Sequence, residues 1–133
     1  MKKILVIIVI VTILAGIFYS VMKTVFPLKH VKYIELYSEE YETDPYLIMG
    51  IIKAESNFKN DAVSPKNATG LMQITKSTAW WIADKLELKD FDYDKDIINP
   101  EINIKMGCFY IDYLLEMYSG RETCALAAYN AAV

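Results

Sequence analysis

The chain has 133 residues and a formal charge of −3, from 14 Lys and Arg against 17 Asp and Glu, with one histidine and two cysteines. That length suits one small domain, and the absence of a basic run or basic-aromatic stripe argues against nucleic acid as a partner. With His30 as the sole histidine, mechanisms that need a Ser-His or Cys-His pair, or a multi-histidine zinc site, have nothing to draw on.

The chain opens "MKKILVIIVIVTILAGIFYSVMK", in which nineteen residues from Ile4 to Met22 carry no charge. As a helix this run is roughly 28 Å long, close to the hydrocarbon thickness of a bilayer. It has no polar face, which argues against a buried core helix. No convincing small-x-small cleavage site lies between Gly16 and Pro27, so residues 1–23 read as an uncleaved signal anchor, with a removed signal peptide as the alternative. Lys2 and Lys3 place the amino terminus inside and everything after Lys23 outside the cytoplasm, although Lys23 weakens that asymmetry. In that compartment Cys108 and Cys124 can pair, but on apolar faces two small buried thiols are the more frequent outcome.

Past the anchor the pattern is helical throughout, with no alternating run long enough for a sheet, and the expected fold class is all-α. Pro27 can open a membrane-proximal helix whose stripe is Leu28, Val31, Ile34, Tyr37 and Tyr41, within residues 24–44. Asp44-Pro45 then starts a catalytic-domain region, 45–133, with the apolar helix "YLIMGIIKAES". Residues 57–70 are rich in Asn, Asp, Ser, Pro, Lys and Gly and mark an irregular loop. Thr75 can cap a helix through "KSTAWWIADKLE", and the aspartate-rich stretch from Lys89 to Asp96 reads as a solvated connection. Asn99-Pro100 repeats the cap-plus-proline start, opening a long amphipathic helix that stops near Gly120. Thr123 can cap a last helix, "CALAAYNAAV".

Glu55 lies in the last turn of the apolar helix that Pro45 opens. Hydrophobic neighbours with a loop folded over them would disfavour its charged form and raise its pKa, and a carboxyl still protonated near neutral pH can act as a general acid, then as a base. An arbitrary glutamate beside Lys53 is more often a solvated charge, and spacing alone does not decide between the two.

The stretches "ESNF" (Glu55 to Phe58), "AVSPKNATGLMQI" (Ala62 to Ile74), "NPEINIKMGCFYIDYL" (Asn99 to Leu115) and "ALAAYNA" (Ala125 to Ala131) decide it. In that order they resemble the catalytic domain of the lytic transglycosylases, in the lysozyme-like superfamily that includes goose-type lysozymes. The resemblance covers about Tyr46 to Val133, and implies a lysozyme-like helical domain acting on the peptidoglycan glycan strand, with no metal or cofactor. Glu55 matches the family's catalytic acid, which protonates the glycosidic oxygen between N-acetylmuramic acid and N-acetylglucosamine. The muramic 6-hydroxyl then attacks and leaves a 1,6-anhydro end, so no second carboxylate is needed, unlike the scheme of most glycosidases. Asp61, the nearest acid in the loop, reads as a turn residue.

Ser64 matches a serine that orients the N-acetyl group, and Met72 and Gln73 match residues lining the cleft, the first as an apolar wall and the second as a partner for sugar hydroxyls. Tyr129 and Asn130 match the family's "AYN" pair, with the tyrosine hydroxyl near the glutamate and the reacting sugar. Tyr110 matches a tyrosine that reaches the cleft or packs beneath it. Gly70 and Asn67 suit backbone conformations with positive φ. Trp80 and Trp81 offer a sugar-stacking platform, although adjacent helix positions cannot both face one groove and at least one should be core.

The chain departs from the family in reading "AYNAAV" and ending, where relatives read "AYNAG" and continue through a further helix. That implies an open cleft wall and a loosely held Tyr129. Lys76, where proline is frequent, touches only a helix start. The alternatives to transglycosylation are a hydrolytic muramidase and an inactive peptidoglycan-binding component of an envelope complex.

Overall fold

A computed structural model of the chain describes residues 2–25 and 29–132. The helix start expected at Pro27, with Leu28 of its stripe, and the last residue Val133 lie outside them. The described residues form seven helices and no strand: α1 (Lys2–Val25), α2 (Val31–Glu40), α3 (Pro45–Ser56), α4 (Lys76–Lys85), α5 (Tyr93–Asp96), α6 (Pro100–Met117) and α7 (Glu122–Ala132). The all-α expectation holds. α1 is long and apolar enough to cross a membrane, and its stretch Lys2–Thr24 is not buried against the rest of the chain.

The remaining helices pack around α6, which meets α2, α4 and α7, while α2 also meets α3. Local chemistry starts the two central helices as the sequence predicts. Asp44 accepts a hydrogen bond from Tyr46 N (2.8 Å) and Asn99 one from Glu101 N (2.9 Å), each with proline at the first helical turn. Such a cap contributes about 1 kcal/mol. Ile48, Ile51 and Ile52 of α3 and Ile104, Cys108 and Ile111 of α6 then bury one face each at helical spacing. α2 belongs to the same core through Ile34 and Tyr37, and the Tyr37 hydroxyl donates to Glu101 Oε1 (3.1 Å). Cys108 and Cys124 are free thiols, and burial pushes the Cys108 thiol up to about 12.

α3 ends abruptly. Asn57 and Phe58 both take left-handed backbone conformations (φ 50° and 61°), an unfavourable pair for side chains with a Cβ. Burial of Phe58 holds the turn, together with a hydrogen bond from Lys53 Nζ to Asn57 Oδ1 (2.6 Å). The following loop is pinched by two isolated antiparallel bridges, Val63 with Thr69 and Thr69 with Ile74.

This loop is fixed to the core by Asn103, a fully buried residue of α6. Its Oδ1 accepts from Met72 N (2.8 Å), and its Nδ2 donates to Ile97 O (2.8 Å) and Thr69 O (3.2 Å). Close contact beside it requires two glycines. A Cβ at Gly70, where φ is +90°, would run into Asn103 Nδ2 and lie 2.6 Å from Ile97 O, and one at Gly107 would run into the Met72 thioether.

Three local expectations need correction. The acidic stretch from Lys89 to Asp96 is structural as well as solvated: Phe91 and Tyr93 are buried, and the Tyr93 hydroxyl donates to Ile74 O (3.1 Å), bracing the loop from α5. Thr75 stands at the α4 cap position, but its hydroxyl bonds Thr78 Oγ1 (2.9 Å) and Ala132 O (3.2 Å) instead of a backbone amide of α4. α7 begins at Glu122, so Thr123 lies inside its first turn and does not cap it.

Replacing Asn103 by Ala leaves Met72 N and Ile97 O without their partner and takes one of two donors from Thr69 O, a cost of about 3 kcal/mol. The expected result is a melting temperature lowered by roughly 10 °C, read by circular dichroism on the full chain in detergent. A drop within about 2 °C would contradict the clamp.

Candidate active site

The end of α3, the pinned loop and the end of α7 enclose a hollow of about 330 Å³ lined by Glu55, Ser64, Pro65, Lys66, Gln73 and Asn130. Four of the seven residues singled out from the sequence therefore meet there: Glu55, Ser64, Gln73 and Asn130.

Glu55 is half-buried, and burial is what raises its carboxyl above the ordinary glutamate value. No salt bridge among the described residues involves it. Lys53, the charge beside it in sequence, is turned to Asn57. The arrangement leaves a carboxyl that holds its proton more tightly than usual and faces an open hollow.

Ser64 sits in a tight turn in which its Oγ accepts from Ala68 N (3.1 Å) and Lys66 N (3.2 Å). With both lone pairs directed at backbone amides, the hydroxyl proton is what Ser64 can offer outward. Gln73 is nearly fully buried, with φ at 50°, and its Nε2 donates to Gly70 O (2.8 Å) and Ala62 O (2.9 Å). Both amide protons hold the loop closed, so toward the hollow Gln73 can act only as an acceptor, through Oε1. Asn130 is exposed at the rim.

The other three expected residues are placed differently. Met72 is fully buried and its side chain lies against Gly107, so it stands beneath the cleft instead of forming an apolar wall. Tyr129 is also buried, and its hydroxyl donates to Met72 O (2.6 Å). Burial first, and Glu55 second, push that phenol well above its ordinary pKa, which places the ring next to the acid. The expectation of a loosely held Tyr129 fails: the hydroxyl is bonded, and Ala132 O at the end of α7 accepts from Thr75 and Thr78 of α4. Tyr110 is half-buried, tilted against Tyr129 at 5.6 Å between centroids, and lines a neighbouring hollow of about 320 Å³ with Trp81 and Tyr113.

Trp80 and Trp81 face different sides of α4: Trp81 is half-buried against the core, with its ring on Phe109, Tyr110 and Tyr113 at the edge of the aromatic hollow, and Trp80 is exposed beyond it. Asp61 lines a separate hollow near His30, away from Glu55. Asn103 and Tyr93, which hold the loop over Glu55, were not singled out from the sequence. The one sign of Asn103 there is a polar residue between Ile102 and Ile104 on an apolar stripe.

Known proteins resemble this chain in sequence and in fold. The chain is 29% identical to the soluble lytic murein transglycosylase of Salmonella typhimurium, over 89% of this chain and 18% of that protein. It is 35% identical to the membrane-bound lytic murein transglycosylase C of Actinobacillus pleuropneumoniae, over 71% of this chain and 28% of that protein. The crystal structure of the 70-kDa soluble lytic transglycosylase of Escherichia coli superposes with a TM-score of 0.78 at 28% identity, over 90% of this chain and 19% of that one. The chain thus spans well under half the length of each. The Transglycosylase SLT domain family matches residues 32–132, most of the chain, and the chain belongs to that family.

Proposed function

We propose that this chain cleaves the β-1,4 bond between N-acetylmuramic acid and N-acetylglucosamine in peptidoglycan by non-hydrolytic transglycosylation. The observation that carries the reading is Glu55, a carboxyl raised by burial and open to a hollow whose other groups suit an N-acetylated sugar. The names of the relatives supply the substrate class.

In this mechanism the protonated Glu55 donates to the glycosidic oxygen as the bond to the anomeric carbon breaks. The resulting carboxylate takes the proton of the muramic 6-hydroxyl, whose oxygen closes on the anomeric carbon to give the 1,6-anhydro end. One group serves twice because its environment favours the neutral form at the start and the anion is discharged at the end. Ser64 donates its hydroxyl proton to the acetamide and orients it. Gln73 Oε1 within the hollow and Asn130 at its rim hold sugar donors. Tyr129 acts by position, fixing Met72 and the loop above Glu55, and Tyr110 with Trp81 receives the next sugar along the strand.

The apolar α1 and the membrane-bound relatives support a single-pass anchor at 1–23, with Lys2 and Lys3 on the cytoplasmic side and the domain from α2 onward outside, facing the wall.

Mass spectrometry of sacculi digested by the full chain in detergent should find 1,6-anhydromuramoyl ends, and the Glu55→Gln chain should leave none above background. Reducible muramic ends would instead make the enzyme a muramidase, and equal, negligible release by both chains would leave a binding protein.

The pH dependence has a definite sign. Because the Glu55 carboxyl is raised, the acid form is lost only as pH climbs through that raised value, and the rate on soluble glycan fragments should fall there. The same shift means that the neutral carboxyl favours the folded state at low pH and that this contribution disappears as pH rises through the folded value. Glu55→Gln should therefore melt above the parent at pH 7, with the gap closing below the ordinary carboxylate range. A gap that is absent at pH 7, or grows on acidification, would contradict a desolvated Glu55.

A further inference from the structure

On the side of α4 that carries Trp80, a further hollow of about 390 Å³ is formed by Trp80, Ala83, Asp84, Glu87, Leu88 and Lys89. It shares no lining residue with the Glu55 hollow or with the aromatic hollow of Trp81. Trp80 is 48% exposed, a large apolar ring left in water on a domain that buries smaller side chains fully. The ring is not loose. It meets the buried Phe91 edge to face at 5.2 Å and 85°, so its exposed surface is held in one orientation.

Two carboxylates border this surface. Asp84 is on α4 and Glu87 is in the turn that closes it, with left-handed backbone (φ 50°) and its amide bonded to Asp84 O (3.2 Å). Neither carboxylate has a salt-bridge partner among the described residues. An immobilised indole face flanked by unpaired carboxylates and one ammonium, Lys89, suits a ligand with an apolar C–H face and a rim of hydroxyl and amide donors. A pyranose with an acetamide has that form. A purely apolar protein partner would leave both carboxylates desolvated and unpaired, which is costly.

We propose that Trp80, Asp84 and Glu87 form a second glycan-binding site, outside the cleft, which holds an N-acetylhexosamine unit of the wall while another segment is cleaved at Glu55. The sugar stacks on Trp80, and its hydroxyl and amide protons go to Asp84 and Glu87. The ring is already ordered by Phe91, so little side-chain freedom is lost on binding. The proposal rests on the reading of the chain as a wall enzyme, and its test separates the two.

The full chain carrying Glu55→Gln, in detergent micelles, is sedimented with purified sacculi with and without added changes on α4. Trp80→Ala should weaken retention roughly fivefold to tenfold, Trp80→Tyr should recover most of it, and Asp84→Asn with Glu87→Gln should weaken it with the melting temperature unchanged. In the chain with Glu55 intact, Trp80→Ala should cleave short soluble glycan fragments at the parental rate. Retention that survives both the Trp80→Ala and the double carboxylate change would overturn the second site. So would a loss of turnover on short fragments equal to the loss of retention, which would put Trp80 in the cleft. If the parent turns nothing over, the cleavage reading fails, and the retention series still reports on Trp80.

Discussion

Three hydrogen bonds from one buried amide hold the site together. Asn103 ties Met72, Thr69 and Ile97 to the first turn of α6, and each of those ties carries another element. Met72 receives the Tyr129 hydroxyl on its carbonyl and lays its thioether over Gly107, so the loop is joined at once to α6 and α7. Thr69 is the shared member of both β-bridges in the loop. Ile97 closes the turn after α5, which sends Tyr93 up to Ile74. A primary amide is the side chain that can accept from one backbone N–H while donating to two carbonyls in a dry interior, and a leucine of similar volume would leave Met72 N and Ile97 O unpaired and Thr69 O with Ile74 N alone.

The electrostatics of Glu55 follow from that anchoring. A loop pressed onto the end of α3 removes water from one side of the carboxyl, and the neighbouring lysine is occupied by Asn57, so burial acts without a compensating charge. Tyr129 registers the same neighbourhood from below, since its phenol is disfavoured as an anion partly because Glu55 is close. The consequence is a trade common at reactive sites: a carboxyl useful as an acid lowers the stability of the fold at neutral pH. The left-handed pair at Asn57 and Phe58 belongs to this trade, because the sharp exit from α3 lets the loop turn back over the residue that precedes it by two positions.

How much of this was legible in the sequence depended on how local the interaction is. The starts of α3 and α6 were readable because a cap and a proline act within three residues. Glu55, Ser64, Gln73 and Asn130 came together as the family resemblance implied, since their motifs carry the local turns that aim them. Asn103 was not readable, because its partners lie 31 and 34 residues away in the loop, and a polar residue on an apolar stripe looks like an interruption. Phe91 and Tyr93 were hidden by the aspartates and lysines around them, which dominate the composition of a short segment. Met72 fits equally well as a cleft wall or as core, and only the position of Gly107 across from it decides for core. Trp80 and Trp81 were correctly assigned to different sides of α4, but which side holds the cleft required the placement of Tyr110 and Tyr129.

The central claim is that a loop clamped by Asn103 desolvates Glu55, and the most direct measurement is the titration of the Glu55 side-chain carboxyl by carbon NMR. In the intact chain Glu55 should titrate above the ordinary glutamate range, and in the Asn103→Ala chain, under conditions where it remains folded, it should move back toward that range. An ordinary pKa in the intact chain, or a raised one that Asn103→Ala leaves in place, would contradict the account.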